Sequence, residues 1–85
     1  MKQYTLIEPI SGPWGAISAV TLRPVKVRDM KAVEKVREQD GDMGAGIALL
    51  AAVCSVPVEA VEEMDARDFT ALTEMLTDFL PKASP

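Results

Sequence analysis

The chain has no histidine, a single cysteine and only four aromatic residues in 85 positions. The absence of histidine excludes a catalytic triad with an imidazole base and a histidine-ligated metal site. One cysteine cannot form an internal disulfide or a cysteine metal cluster, and it is typical of a protein from a reducing compartment. Cys54 has no basic residue within twelve positions on either side. We therefore expect it to be a buried, unreactive apolar side chain.

Long hydrophobic runs are also absent. The longest segment without a charge spans residues 43–58 and contains two glycines and a proline, whereas a membrane-spanning helix needs about 20 apolar residues. Near the N-terminus, the apolar stretch is broken by Glu8 and Pro9, so we predict no signal peptide. These absences favour a cytoplasmic protein without a membrane partner.

The charges are unevenly distributed along a chain that is apolar overall. Hydrophobic residues make up 48% of the sequence and the mean hydropathy is +0.11, although the net charge is -4. This composition is too apolar for a disordered acidic chain. Residues 21–37 carry a net charge of +4, and residues 38–81 carry -9. We expect the positive charges of the basic segment to face the negative charges of the acidic helices, either in the same chain or in another copy.

The first 23 residues predict a β-hairpin. Apolar and polar residues alternate over 3–10 and 17–23, and residues 11–15 between them are dense in turn formers. This pattern predicts two paired strands with a loop longer than two residues, and Pro9 should interrupt the pairing. At the tip of the hairpin, Trp14 either folds back onto the domain or marks a binding surface.

The remainder of the sequence predicts helices, so the expected fold is α+β, an N-terminal hairpin followed by three to four helices in one domain over residues 1–85. We predict a loop over 39–42, an N-cap at Asp65 with Asp68 in the capping-box position, and a free tail over 81–85. Residues 43–54 are apolar on every side, which is typical of a helix surrounded by other elements or by a partner. The predicted helices span about 27–38, 43–54, 57–64 and 66–80.

No set of residues in the sequence suggests catalysis. The carboxylate pairs are adjacent or lie in loops, whereas acid–base chemistry needs carboxyls that converge from separate elements. The segment Asp40-Gly41-Asp42 lacks the further ligands of a calcium loop, and the glycines match no phosphate-binding motif. We therefore predict no enzyme activity, no metal and no cofactor. The carboxylate pairs are Asp40 with Asp42, Glu62 with Glu63, and Asp65 with Asp68.

Two short motifs carry a family resemblance that extends over about residues 4–80. They are Leu22-Arg23-Pro24 before the first helix and Asp65-x-x-Asp68-Phe69-x-x-Leu72 at the start of the last one. With the order of the elements, they resemble the small tail assembly chaperones of long-tailed bacteriophages, the Mu-like and P2-like group. The chain departs from the family at Lys26, where relatives often have a capping Thr or Ser, because a lysine side chain cannot cap a helix in that way.

The resemblance implies a function without catalytic residues. Such chaperones bind the tape measure protein, a long and largely helical chain, and keep it soluble in the host cytoplasm until the tail tube assembles around it. They are absent from the mature virion. In many relatives a translational frameshift also produces an extended form, so the resemblance implies a homo-oligomer or a hetero-oligomer with that form.

Several apolar residues are candidates for contacting a partner. We expect a face around Val58, Val61 and Met64, with Met75 of the last helix, to bind the tape measure protein or another copy, because methionine and aliphatic side chains form adaptable surfaces. Trp14 is a further candidate. In the alternative interpretation, these residues close the core of the domain. Two other functions stay open, a structural tail subunit and a small DNA-binding regulatory module, although the acidic half would repel phosphates.

Overall fold

An antiparallel hairpin followed by three helices forms the described part of the chain, residues 2–79 of a computed structural model. This architecture confirms the predicted α+β fold. The predicted helix end at Leu80 and the predicted tail over 81–85 lie outside the described residues. The elements are β1 (Lys2–Gly12), β2 (Gly15–Leu22), α1 (Val27–Cys54), α2 (Val58–Glu62) and α3 (Ala66–Thr77).

The hairpin turns in two residues. Gly12 pairs with Gly15, which leaves only Pro13 and Trp14 in the loop, so the prediction of a longer loop is wrong. Gly15 has a φ of 97°, a conformation open to glycine at no steric cost. Gly12 is also required, because a Cβ there would lie 2.7 Å from the Trp14 ring.

Strand β1 bulges away from β2 in its middle. Thr5 pairs with Ala19 and Ile10 pairs with Ile17, so residues 6–9 face a single residue of β2. The extra residues include Pro9, which cannot donate to a ladder. The bulge leaves backbone N–H groups of β1 available for other partners.

One face of the hairpin packs against the helices. Alternation along the strands buries Leu6, Ile10, Val20 and Leu22, as expected for a sheet with one covered face. The helical part of the chain contributes most of a largely aliphatic core. Its buried apolar residues, with Met64 from the connection before α3, are Val33, Ala45, Leu49, Leu50, Ala51, Val53, Cys54, Ala60, Val61, Met64, Leu72 and Leu76.

Helix α1 consists of two helical segments that meet in a kink at Gly41, inside the predicted loop over 39–42. Only Gly41 leaves the helical conformation, with φ 73° and ψ -167°, a combination that is essentially restricted to glycine. A side chain at Gly44 would overlap that of Asp40. The kink divides α1 into an amino-terminal half, residues 27–40, and a carboxyl-terminal half, residues 42–54.

The two halves of α1 differ sharply in burial. In the amino-terminal half only Asp29 and Val33 are buried. The carboxyl-terminal half is the central core helix, as its all-round apolar sequence predicts. It is not covered on every side, however, because Ala52 is exposed and Ile47 is half-buried.

At the start of α1, the side chain of Asp29 takes the place of a capping Ser or Thr. The helix starts at Val27 although Lys26 is its N-cap residue. The Asp29 carboxylate accepts a hydrogen bond from the Lys26 backbone N–H at 2.8 Å and two from the Arg23 guanidinium at 2.8 and 2.9 Å. The Arg23 backbone N–H donates to the carbonyl of Val53 at 3.3 Å. Through its guanidinium and its backbone N–H, Arg23 therefore joins the end of β2 to both ends of α1.

Asp68 has a different role from the one that its sequence position predicts. It is fully buried and does not complete a capping box. Its carboxylate accepts hydrogen bonds from the Tyr4 hydroxyl at 2.8 Å and from the backbone N–H groups of Ile7 and Glu8 at 2.8 and 3.2 Å. The N-cap prediction for Asp65 is confirmed, because its side chain accepts from the Arg67 N–H at 2.8 Å.

The hydrogen bonds around Asp68 keep it ionised. Burial alone would raise the pKa of the Asp68 carboxyl, but the donors at Ile7, Tyr4 and Glu8 outweigh burial and the net pKa is lowered. The Asp68 carboxylate in turn raises the pKa of Tyr4. A charged carboxylate thus lies between the β1 bulge and the first turn of α3.

Replacing the charged acceptor should loosen the link between hairpin and α3. We expect Asp68→Asn to lower the free energy of unfolding by about 2–3 kcal/mol, because an amide has one acceptor oxygen and turns its NH₂ group towards a donor. Urea unfolding followed by circular dichroism measures the change. Asp65→Asn, three residues earlier, is the control, since asparagine caps a helix about as well as aspartate. Equal losses in the two variants would contradict the assignment.

The Arg23–Asp29 ion pair should make the free energy of unfolding depend on pH in the acidic range. The Arg23 guanidinium, helped by the Lys26 N–H, lowers the pKa of Asp29 from 3.8 to about 2. A carboxyl with a lowered pKa contributes its full stability above its ordinary pKa and loses it as the pH falls through the lowered value. The difference in unfolding free energy between the native chain and Asp29→Asn should therefore shrink between about pH 4 and pH 2. A constant difference would refute this, and the exposed Asp42→Asn serves as control.

Candidate partner-binding surface

A small apolar groove opens where the carboxyl-terminal half of α1 meets α2 and α3. We call it the methionine groove, because two of its lining residues, Met43 and Met64, are methionines. Its volume is about 160 Å³. The residues that line it are Met43, Ile47, Val61, Glu62, Met64, Ala66 and Phe69.

The kink in α1 places the exposed rim of this groove. Met43 follows Gly41 by two residues and is 65% exposed. Ile47 lies one helical turn further along, and Phe69 approaches from α3, both of them half-buried. Methionine is unbranched and polarisable, so its side chain adapts to apolar groups of different shape. The groove is thus suited to an apolar anchor side chain of a helix that lies across it.

The candidate residues around α2 separate into buried and exposed positions. Val61 and Met64 line the methionine groove, but they are only 3% and 8% exposed and also close the core. Val58 is 41% exposed and is not among the groove's lining residues. Met75 is half-buried and packs against the core from α3. The structure therefore brings two of these four residues together.

Trp14 folds back onto the domain. Its ring lies over Gly12 and packs against the core. The indole Nε1 is buried and has no hydrogen-bond partner within residues 2–79. With Pro13, Pro57 and Glu59, Trp14 also lines a second cavity of about 370 Å³. This cavity shares no lining residue with the methionine groove.

Sequence reasoning did not assign Ile47 or Phe69 to a binding surface, and the face expected around α2 did not include Met43. Ile47 belongs to a segment without a polar side, so periodicity could not show which of its faces stays partly open. Phe69 fits the core stripe of α3. The one signal available for Met43 was its position just after the glycine that interrupts the helix. Such an interruption exposes the next turn of the helix.

Within residues 2–79, no group of three or more Cys, Asp or Glu side chains is placed to hold a metal ion. Burial raises the pKa of the Cys54 thiol to about 11, so the thiol stays protonated and is a poor nucleophile. None of the described helices is long and apolar enough to cross a membrane.

Two substitutions to aspartate should distinguish the exposed rim of the groove from its buried floor. Val61→Asp would bury an unpaired carboxylate in the core, and we expect it to lower the unfolding free energy by about 3 kcal/mol or more. Met43→Asp introduces the same group at an exposed position and should cost about 0.5 kcal/mol or less. Thermal or urea unfolding measures both. Similar losses at the two positions would contradict the difference in burial between Val61 and Met43.

Comparison with known families finds a match over most of the chain. A family model described as phage tail assembly chaperone proteins, E, or 41 or 14, matches residues 3–81. No curated protein and no solved structure matches the chain. The family match covers both strands and α1, α2 and α3, and with them every residue that lines the methionine groove. The chain therefore belongs to the phage tail assembly chaperone family.

Proposed function

We propose that this chain is a non-enzymatic chaperone that binds the tape measure protein through the methionine groove and keeps it soluble during tail assembly. The family match supports a chaperone role with protein partners. The methionine groove carries the proposal of a binding site, because it combines an exposed apolar rim with a floor made by the core.

The size of the groove indicates how such a client would be held. A cavity of about 160 Å³ takes an anchor side chain rather than a whole helix. An amphipathic helix would lie across the rim formed by Met43 and Ile47 and insert one apolar residue towards Phe69. Contacts of this kind are individually weak, which suits a chaperone that must release its client when the tail tube assembles.

The charge around the groove suits a soluble complex. Glu62 lines the groove, and the chain as a whole has a net charge of -4. Excess charge of one sign opposes aggregation of a protein that carries apolar surface. We place this activity in the host cytoplasm and propose that the mature virion lacks the protein. Mass spectrometry of purified particles distinguishes this proposal from a structural tail subunit, which would be present in them.

Co-expression with the tape measure protein of the same phage tests the groove. We expect the native chain to keep the tape measure protein soluble and to copurify with it, and Met43→Asp to lower the copurified amount about tenfold, since a charge at the rim cannot be desolvated against an apolar helix. Val27→Asp is the matched control, because Val27 is 81% exposed and lies outside the groove.

The outcome is informative only for folded variants, so circular dichroism of both accompanies the assay. If folded Met43→Asp retains as much tape measure protein as Val27→Asp, the methionine groove is not the binding site. If the native chain itself fails to retain the tape measure protein, the proposed client is wrong.

A further inference from the structure

The second cavity lies between the hairpin turn and the start of α2. Pro13 and Trp14 form the turn, Pro57 is the N-cap residue of α2, and Glu59 lies in the first turn of that helix. These residues line a volume of about 370 Å³, which we call the tryptophan pocket. Its two prolines are rigid walls, because a proline ring has no side-chain freedom to lose when a partner binds.

One hydrogen-bond donor of the tryptophan pocket is unsatisfied. Among the buried side-chain nitrogen and oxygen atoms of residues 2–79, only the Trp14 indole Nε1 has no hydrogen-bond partner. An unsatisfied buried donor costs about 1–3 kcal/mol, and a buried tryptophan N–H usually has an acceptor. The indole N–H would therefore gain from an acceptor atom that an occupant of the pocket supplies.

Glu59 adds an unpaired negative charge to the pocket. Its side chain is exposed and takes part in none of the ion pairs formed within residues 2–79. Its neighbours Ala60 and Val61 are buried in the core, which fixes the direction in which α2 presents Glu59. An occupant with a positive charge would be attracted by this carboxylate, whereas a phosphate or another anion would be repelled.

The donor, the charge and the apolar walls together define the chemistry of the occupant. The backbone carbonyls of a helix already accept hydrogen bonds within the helix, whereas a polyproline II segment has no internal hydrogen bonds and leaves its carbonyls available. Proline-rich segments also bind in aromatic-lined grooves, because their conformation is formed before they bind. The pocket is thus better suited to an extended segment than to a helix.

We propose that the tryptophan pocket binds an extended, proline-containing peptide segment that carries a lysine or an arginine. A carbonyl oxygen of the segment accepts from the Trp14 Nε1, its proline rings pack against Pro13, Pro57 and the indole ring, and its cation pairs with Glu59. Trp14 lies in the two-residue turn, outside the hairpin ladder, so the indole can rotate towards the acceptor without breaking a ladder hydrogen bond.

This site is independent of the proposed tape measure site. The tryptophan pocket and the methionine groove share no lining residue, and they select different partners, an extended basic segment and an amphipathic helix. A failure to bind one partner therefore leaves the proposal for the other unchanged.

The indole N–H of the native chain reports directly on an occupant. The sequence contains one tryptophan, so a nitrogen–proton correlation NMR spectrum contains one indole signal. We expect acetyl-Ala-Pro-Pro-Arg-Pro-Pro-Ala-amide, the basic proline peptide, to move this signal downfield in a saturable way as the N–H gains an acceptor. The dissociation constant should be on the order of 100 μM.

Three further peptides separate charge, conformation and helicity. Replacing the arginine by glutamate should weaken binding about tenfold or more, because two carboxylates then meet. Replacing every proline by alanine should weaken it about tenfold, since a flexible chain loses more conformational entropy on binding. An amphipathic helical peptide that carries an arginine should leave the indole signal in place.

Two variants assign the contacts to residues. Glu59→Gln should weaken binding of the basic proline peptide about three- to fivefold. Glu63→Gln is the matched control, because it removes the same charge from an exposed residue at the end of α2 that does not line the pocket. Equal effects of the two variants would contradict the ion pair with Glu59.

Trp14→Phe keeps an aromatic ring and removes the donor. We expect it to weaken binding about fivefold, measured by fluorescence anisotropy of a labelled basic proline peptide, with circular dichroism to show that the variant is folded. Unchanged binding would contradict the hydrogen bond to Nε1.

Three results with the native chain would overturn the proposal, and none of them depends on a variant that folds. The first is an indole signal that stays fixed at millimolar concentrations of the basic proline peptide. The second is equal binding of the basic, acidic and alanine peptides, which would indicate unspecific apolar contact. The third is a larger shift with the helical peptide than with the basic proline peptide, which would assign the pocket to a helix.

Discussion

The structure depends on one buried carboxylate. A two-stranded hairpin is marginal in water by itself, and the bulge in β1 leaves backbone donors without ladder partners. Asp68 accepts hydrogen bonds from two of them, the N–H groups of Ile7 and Glu8, and from the Tyr4 hydroxyl. The same contact fixes the start of α3, and with it the adjacent Phe69 in the wall of the methionine groove. One anion therefore fixes the relative positions of the hairpin, the last helix and the candidate site.

A second buried carboxylate follows the same logic where the hairpin leads into α1. Asp29 and Asp68 both occupy the third position of a helix, where a negative charge is favourable. Asp29 accepts from the backbone of Lys26 and from Arg23, whereas Asp68 reaches into a neighbouring strand. In a chain of 85 residues the core is thin. Two fully bonded carboxylates then orient elements that apolar contacts alone would position loosely.

The parts of the fold that the sequence predicted are those encoded by local patterns. Alternation identified the buried face of the hairpin, and the N-cap at Asp65 was visible because a cap involves only neighbouring residues. The partners of Asp68 lie about sixty positions away, so local spacing could suggest only a capping box. The kink at Gly41 resembled a loop in sequence, which obscured the exposure of Met43 just beyond it. Val61 and Met64 fitted either a core or a surface, and in the structure they line both.

The kink also separates two different environments within one helix. The carboxyl-terminal half of α1 is held by the core, but the amino-terminal half buries only Asp29 and Val33. An isolated helix of such length is marginal in water. This half is therefore held mainly by the Arg23–Asp29 pair at one end and by continuity with the core helix at the other. Any partner that binds the exposed basic side of this half, at Arg28, Lys31 and Lys35, must also stabilise it, because binding to the folded form alone shifts the folding equilibrium. Order in this half and occupancy of its outer face are thus thermodynamically coupled.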